Sequence, residues 1–127
     1  MTEHLVIEDL LAAAEAVLGR VPEIRDVGVL EAAVARTQAS VFGADAYPSL
    51  DGKAAALLHS VVTGHALMDG NKRLGWVATR LFYRLNDVDL RAPIDEAVAL
   101  VAAIAEGSLR DVETIATRLG AWRLPPG

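Results

Sequence analysis

Within the nine-residue stretch His65-Ala66-Leu67-Met68-Asp69-Gly70-Asn71-Lys72-Arg73, the chain gathers an imidazole, a carboxylate, an amide and two cations. No other segment brings together such different chemistry. An imidazole titrates near neutral pH and can take the proton of an attacking hydroxyl, which is the role open to His65. Asp69 is a hard oxygen ligand of the kind that shares Mg²⁺ with substrate phosphates. If a helix opens at Asn71, its first turn offers free backbone N–H groups and the positive end of the helix dipole, a natural anion site. Acidic side chains stabilise such a turn by about 0.3 to 1 kcal/mol each, so Lys72 and Arg73 have the wrong sign there until a polyanion binds. A nucleoside triphosphate would suit, its phosphates meeting the turn from Gly70 through Asn71, Lys72 and Arg73. The amide of Asn71 could donate to a phosphate oxygen or hold the loop. Together these residues imply phosphoryl or nucleotidyl transfer.

Plainer structural readings stand beside these roles. An interhelical histidine is commonly solvated, Asp69 could be an N-cap, and Asn-Lys-Arg could be a wet first turn. The stretch is not a Walker A loop, because Gly64 and Gly70 have the wrong spacing, no Ser or Thr follows Lys72, and no strand precedes it. A metal site of His59, His65 and Asp69 is also disfavoured. Six residues do not return a side chain to one helix face, and the helix should end between the two histidines.

Helices must position this stretch. Ile7, Leu10, Leu11, Ala14 and Leu18 form one stripe of a first helix that stops near Gly19. Asp26 is placed to cap a second helix over residues 27–37, with Leu30, Ala33 and Val34 inward. Residues 40–49, rich in Gly, Pro, Ala and Asp, read as a loop. A third helix from Leu50 buries Ala54, Leu57, Leu58, Val61 and Val62 and ends at Gly64. A fourth spans residues 71–85 with Leu74, Val77, Ala78, Leu81 and Leu85 inward. Pro93 falls in the first turn of a fifth, with Ile94, Ala97, Val98, Val101 and Ala105 on one face and Gly107 at its end. Residues 108–119 make a sixth, with Val112, Ile115, Ala116 and Leu119 inward. Residues 88–90 are the one stretch that could pair briefly as a strand. Lys53 reads as a helix-surface charge, with a distant phosphate contact as the alternative. Trp76 and Trp122 read as packing residues, with partner contact as the second choice.

The expected architecture is therefore all-α, a compact bundle of about six helices in one domain over residues 1–127. Composition agrees. Hydrophobic residues make up 53% of the 127 and aromatics only 5%, so Ala, Leu and Val must build the core. A net charge of -5 gives no general attraction for nucleic acid. The lack of cysteine removes disulfides and thiolate metal sites and suits a reducing cytoplasm. No signal peptide is evident at the N-terminus. The longest uncharged stretch, residues 54–68, falls short of the roughly 20 apolar residues a membrane span needs. Pro125-Pro126-Gly127 reads as a frayed tail.

The nine-residue stretch resembles the signature of the Fic/Doc superfamily in its death-on-curing form, commonly His-x-Phe-x-Asp-Gly/Ala-Asn-Lys-Arg. The likeness extends to Arg25-Asp26-Val27-Gly28-Val29-Leu30-Glu31, to Ala46-Tyr47-Pro48 with Lys53-Ala54-Ala55-Ala56-Leu57-Leu58, and to Leu85-Asn86. This resemblance implies a helical Fic/Doc fold around a central motif helix and activity as the toxin of a toxin–antitoxin pair. It implies ATP- and Mg²⁺-dependent phosphorylation of a threonine on elongation factor Tu, halting translation. By position, His65 would be the general base, Asp69 the Mg²⁺ ligand, and Asn71, Lys72 and Arg73 the phosphate binders. The family's AMP-transferring branch has Gly where this chain has Lys72, so phosphorylation is favoured over AMP transfer. The partner would be a Phd-like antitoxin whose disordered C-terminal segment folds into a helix on the toxin, in an apolar groove the sequence does not locate. DNA contact would come through that partner. The family's target-aligning flap would correspond to residues 40–47, with Gly43, Phe42 and Tyr47 suiting a mobile edge. Two positions depart from the pattern: Leu67 stands where an aromatic is usual, and Ala66 where Pro is common. A smaller side chain at 67 fills less volume and could leave His65 less well placed. A catalytically idle antitoxin-binding or regulatory module is the reading these departures motivate.

Overall fold

The helix over residues 50–64 has almost no polar side. Its buried set is Lys53, Ala54, Ala55, Ala56, Leu57, Leu58, Val61 and Val62. A helix apolar nearly all round belongs in the middle of a domain, and small alanines let neighbours approach from several directions. In the computed structural model, which describes residues 1–124, this helix touches four others. The elements are α1 (Ile7–Leu18), α2 (Val27–Arg36), β1 (Ser40–Val41), β2 (Ala44–Asp45), α3 (Leu50–Gly64), α4 (Asn71–Leu85), β3 (Asp89–Leu90), α5 (Ile94–Glu106), α6 (Val112–Gly120) and β4 (Arg123–Leu124). Contacts to α3 come from α2, α4, α5 and α6, and α4 packs also on α1, α5 and β3. α3 and α4 pack tightly at Gly75, where a Cβ would lie 2.6 Å from a Val62 methyl. The expected tail, Pro125-Pro126-Gly127, lies outside the described residues.

Local chemistry sets the helix starts. Asp26 Oδ1 accepts from Gly28 N at 3.0 Å, Ser49 Oγ from Gly52 N at 2.9 Å, and Asp111 Oδ2 from Thr114 N at 3.1 Å. Asp111 also accepts from the Thr114 hydroxyl, and that bond holds its carboxyl below the usual range. This cap explains why α6 begins at Val112 and not at Ser108. Ser108 instead closes α5, its N–H and hydroxyl both reaching the Ala103 carbonyl beyond the left-handed Gly107.

Four further expectations change. On α4 the buried stripe is Leu74, Gly75, Ala78, Thr79, Phe82 and Tyr83, while Leu81 and Leu85 are exposed. On α5 the buried residues are Ala97, Leu100, Val101 and Ile104, and Ile94, Val98 and Ala105 face outward. The segment read as a loop contains an antiparallel hairpin, Ser40 opposite Asp45 and Val41 opposite Ala44. Its tip, Phe42 (φ 51) and Gly43 (φ 80), places two successive residues in the left-handed region, as a two-residue hairpin turn requires. Lys53 is 3% exposed and not a surface charge. Its ammonium meets Asp45 Oδ2 at 3.0 Å and donates to the Tyr47 carbonyl. The brief strand foreseen at residues 88–90 finds its partner in β4, Asp89 opposite Leu124 and Leu90 opposite Arg123.

Candidate functional site

Two left-handed residues, His65 (φ 53, ψ 40) and Gly70 (φ 90, ψ 10), turn the chain from α3 into α4. Such a conformation is unusual for a residue with a Cβ, so the surroundings must fix His65 in place. They do so through the backbone of the loop. The Ala66 carbonyl accepts from Arg25 N at 2.7 Å and Asp26 N at 3.1 Å, and Met68 N donates to Glu23 O at 3.0 Å. Leu67 bridges Ile24 in antiparallel fashion. Asn71 closes the loop from the other side: its Oδ1 accepts from Leu67 N at 3.0 Å and its Nδ2 donates to Leu67 O at 2.9 Å. Of the two uses foreseen for Asn71, holding the loop is the one this arrangement shows. Ala66 and Leu67 are buried, with Leu67 at 2% exposure, so leucine anchors the loop in the core where the family pattern has an aromatic. His65, Met68 and Asp69 are left facing solvent.

All six residues singled out in the sequence line one cleft of about 300 Å³: His65, Asp69, Gly70, Asn71, Lys72 and Arg73. Val62, Met68 and Ala105 add apolar wall. Asp69 is not the N-cap. That position belongs to Gly70, and α4 opens with no side-chain cap. Side-chain oxygens cap α2, α3 and α6, and the uncapped α1 and α5 have acidic first turns instead. The first turn of α4 has no acidic residue, whereas those of α1 and α5 carry two each. Neither Lys72 nor Arg73 forms an ion pair among the described residues, where the pairs are Lys53–Asp45, Arg91–Asp89 and Arg123–Asp51. Uncapped N–H groups and two unpaired cations therefore stand at one helix end, a strong anion site. The imidazole of His65 has no hydrogen bond to the described residues and is free to meet a hydroxyl. Asp69 is the only carboxylate of the cleft lining. No three His, Cys, Asp or Glu side chains among the described residues converge to hold a metal unaided.

His59 lies elsewhere. Its Nδ1 is 3.2 Å from Arg36 Nη1, and burial together with that guanidinium lowers its pKa below the ordinary histidine value. It does not line the cleft.

The sequence does not locate a second concavity. A groove of about 730 Å³ runs between α4 and α5, with Trp76, Val77, Ile94, Val98 and Val101 in its walls, and Lys72 and Arg73 at the end it shares with the cleft. Arg80 and Arg91 add further positive charge along it. The signal was present as a surplus: α5 carries more apolar positions than one buried face can hold. Trp76 is partly buried here, edge-on to Trp122 with ring centres 6.2 Å apart.

The Fic/DOC family model matches residues 4–83, from the N-terminal segment to the last turn of α4. Over 124 residues, 96% of this chain and 95% of the relative, the sequence is 46% identical to Toxin Doc of Mycolicibacterium smegmatis.

Proposed function

Since the chain belongs to the Fic/DOC family, we propose that it is the toxin of a toxin–antitoxin pair, a transferase that phosphorylates a threonine of elongation factor Tu and stops translation. The observation that carries this reading is the uncapped, doubly cationic start of α4 in the same cleft as His65 and Asp69. ATP would supply the γ-phosphoryl group, which passes from the β–γ bridging oxygen to the threonine oxygen and leaves ADP. Lys72, Arg73 and the first-turn N–H groups would bind its phosphates, and Asp69 would hold Mg²⁺, which would neutralise charge on the phosphates. A single carboxylate fits this division, since a site that shares its metal with phosphates needs no protein cage. His65 accepts the proton of the threonine hydroxyl. The Lys72 side chain crowds the pose that would bring the α-phosphate to His65 and favours one presenting the γ-phosphate. The β1–β2 hairpin, with Phe42 wholly exposed at its tip, presents the edge on which the target segment aligns.

The antitoxin is Phd-like, and its C-terminal segment folds as a helix into the groove between α4 and α5. Apolar walls suit one face of an amphipathic helix, and Lys72, Arg73, Arg80 and Arg91 suit acidic residues on its flanks. A cytoplasmic site of action follows from the proposed target. No helix among the described residues is long and apolar enough to cross a membrane.

Intact-mass spectrometry of elongation factor Tu, incubated with this protein, Mg²⁺ and ATP, tests the reading. The expected result is a gain of one phosphate. An adenylyl gain would move the protein to AMP transfer, and no gain would overturn this choice of target and reaction. A Lys72→Gly variant should shift product towards the adenylyl form.

A further inference from the structure

The β1–β2 hairpin has no core of its own. Every residue from Ser40 to Ala46 is exposed, including Val41 and Phe42. A two-stranded hairpin without a buried face is marginal in water. Its tip is also unfavourable, because Phe42 occupies a left-handed position where Asn or Gly is usual. Yet the base is fastened by a set of polar contacts from two helices. Lys53 of α3 donates to the Tyr47 carbonyl and pairs with Asp45 Oδ2 at 3.0 Å. Arg36 of α2 donates from Nε to the Tyr47 hydroxyl at 2.9 Å, with its guanidinium 5.4 Å from the ring centre. The same guanidinium is tied back to α3 through Ser60 Oγ at 2.9 Å and His59 Nδ1 at 3.2 Å.

A lysine only 3% exposed is costly to desolvate, and an apolar residue of similar length would fill the same space without that cost. Retaining an ammonium there makes sense if its directional bonds are needed. Both bonds go to the hairpin base.

We propose that Lys53 and Arg36 are positioning residues, a polar clasp that holds the β1–β2 hairpin in one pose so that it meets the protein target preformed. The link to target use rests on the transferase reading above; the clasp itself does not. Tyr47, foreseen as part of a mobile edge, is then the anchored end, and mobility is confined to the tip.

The test is a Lys53→Met variant, which keeps the apolar stem, beside Asp45→Asn, which removes the exposed partner of the ion pair. Hydrogen exchange in the full-length protein is read over residues 40–47 and over α3. Expected are hairpin amides exchanging at least about tenfold faster in Lys53→Met with α3 protection retained, and a smaller change in the same direction in Asp45→Asn. Unchanged hairpin exchange in a folded Lys53→Met protein would overturn the clasp. If Lys53→Met fails to fold, Asp45→Asn and Tyr47→Phe, which removes the hydroxyl held by Arg36, decide by the same measurement. Transfer kinetics then read the function. The KM for the protein target should rise about tenfold, with kcat and the KM for ATP near wild type. Equal changes in both KM values, or a fall in kcat alone, would overturn the positioning role. Failure of the wild-type protein to modify any target would instead count against the transferase reading and leave the exchange result standing.

Discussion

The cleft at the head of α4 and the groove along its flank share Lys72 and Arg73, yet one holds about 300 Å³ and the other about 730 Å³, and their walls differ in kind. The cleft is made by a loop whose backbone is bonded on both sides, to residues 23–26 and to the Asn71 amide. Its side chains are left free because its main chain is not. The groove is walled largely by apolar side chains that α4 and α5 leave uncovered, with arginines along it: Ile94 is 79% exposed and Val98 62%. Chemistry needs groups fixed to within fractions of an ångström, and recognition of a folding segment needs area and tolerance. One helix lines both, its N-terminal turn the cleft and its outer face the groove.

The largest effect should separate the two regions outright. His65→Ala is expected to lower transfer by about 10² to 10⁴-fold, with affinity for an antitoxin peptide unchanged by calorimetry. A matching loss of peptide affinity would break the distinction. The converse change is a pair of groove substitutions, Ile94→Asp and Val98→Asp. These should weaken the peptide by about 2 to 4 kcal/mol and leave transfer by the free protein at the wild-type rate. Both positions are exposed, so the melting temperature should hardly move.

Asn71→Ala tests why the cleft is rigid. Removing the amide leaves both backbone groups of Leu67 without their partner, at a cost of about 1 to 3 kcal/mol in denaturant unfolding. Transfer should fall with it as His65 loses its fixed place. Full stability in this variant would show that residues 23–26 hold the loop alone. The smallest effect concerns pH and lies away from both regions. Burial lowers the pKa of His59 from 6.5, with the Arg36 charge adding to the shift. The unfolded chain therefore binds the proton more readily, and stability is lost as pH falls below about 6.5 through the lowered value. Because His59 is only partly buried, solvent screens the shift and this slope should be shallow. His59→Gln, which keeps an acceptor for Arg36, should flatten it in melting curves.

The cleft was legible because its residues sit together in sequence and the helix boundaries around them are marked by caps and breakers. Asp26, Gly64 and Gly107 did most of that. Other features depended on contacts that spacing does not contain. Leu81, Leu85, Ile94 and Val98 continue the stripes of their helices and read as core, yet the buried stripe on α4 runs through Thr79 and Tyr83. Tyr83 can lie inside because its hydroxyl donates to Asp51 at 2.6 Å, from the first turn of α3. Lys53 was misplaced for a related reason. A charge was taken to mark a surface, although the run Ala54-Ala55-Ala56-Leu57-Leu58 gives α3 no polar side for it to occupy. The hairpin was hidden because its strands are two residues long and its turn carries Phe42 where turn chemistry would place Asn or Gly. Asn71 left two uses open, and only the position of Leu67 decides between them.

The edge-on pair of Trp76 and Trp122 has an optical consequence. The chain contains two tryptophans, and Trp76 forms part of the groove wall. Any segment that fills the groove removes water from this indole, so its emission should move to shorter wavelength while the rest of the spectrum stays constant. The protein thus carries its own unlabelled fluorophore in the groove wall, and filling of the groove can be followed in real time by stopped flow.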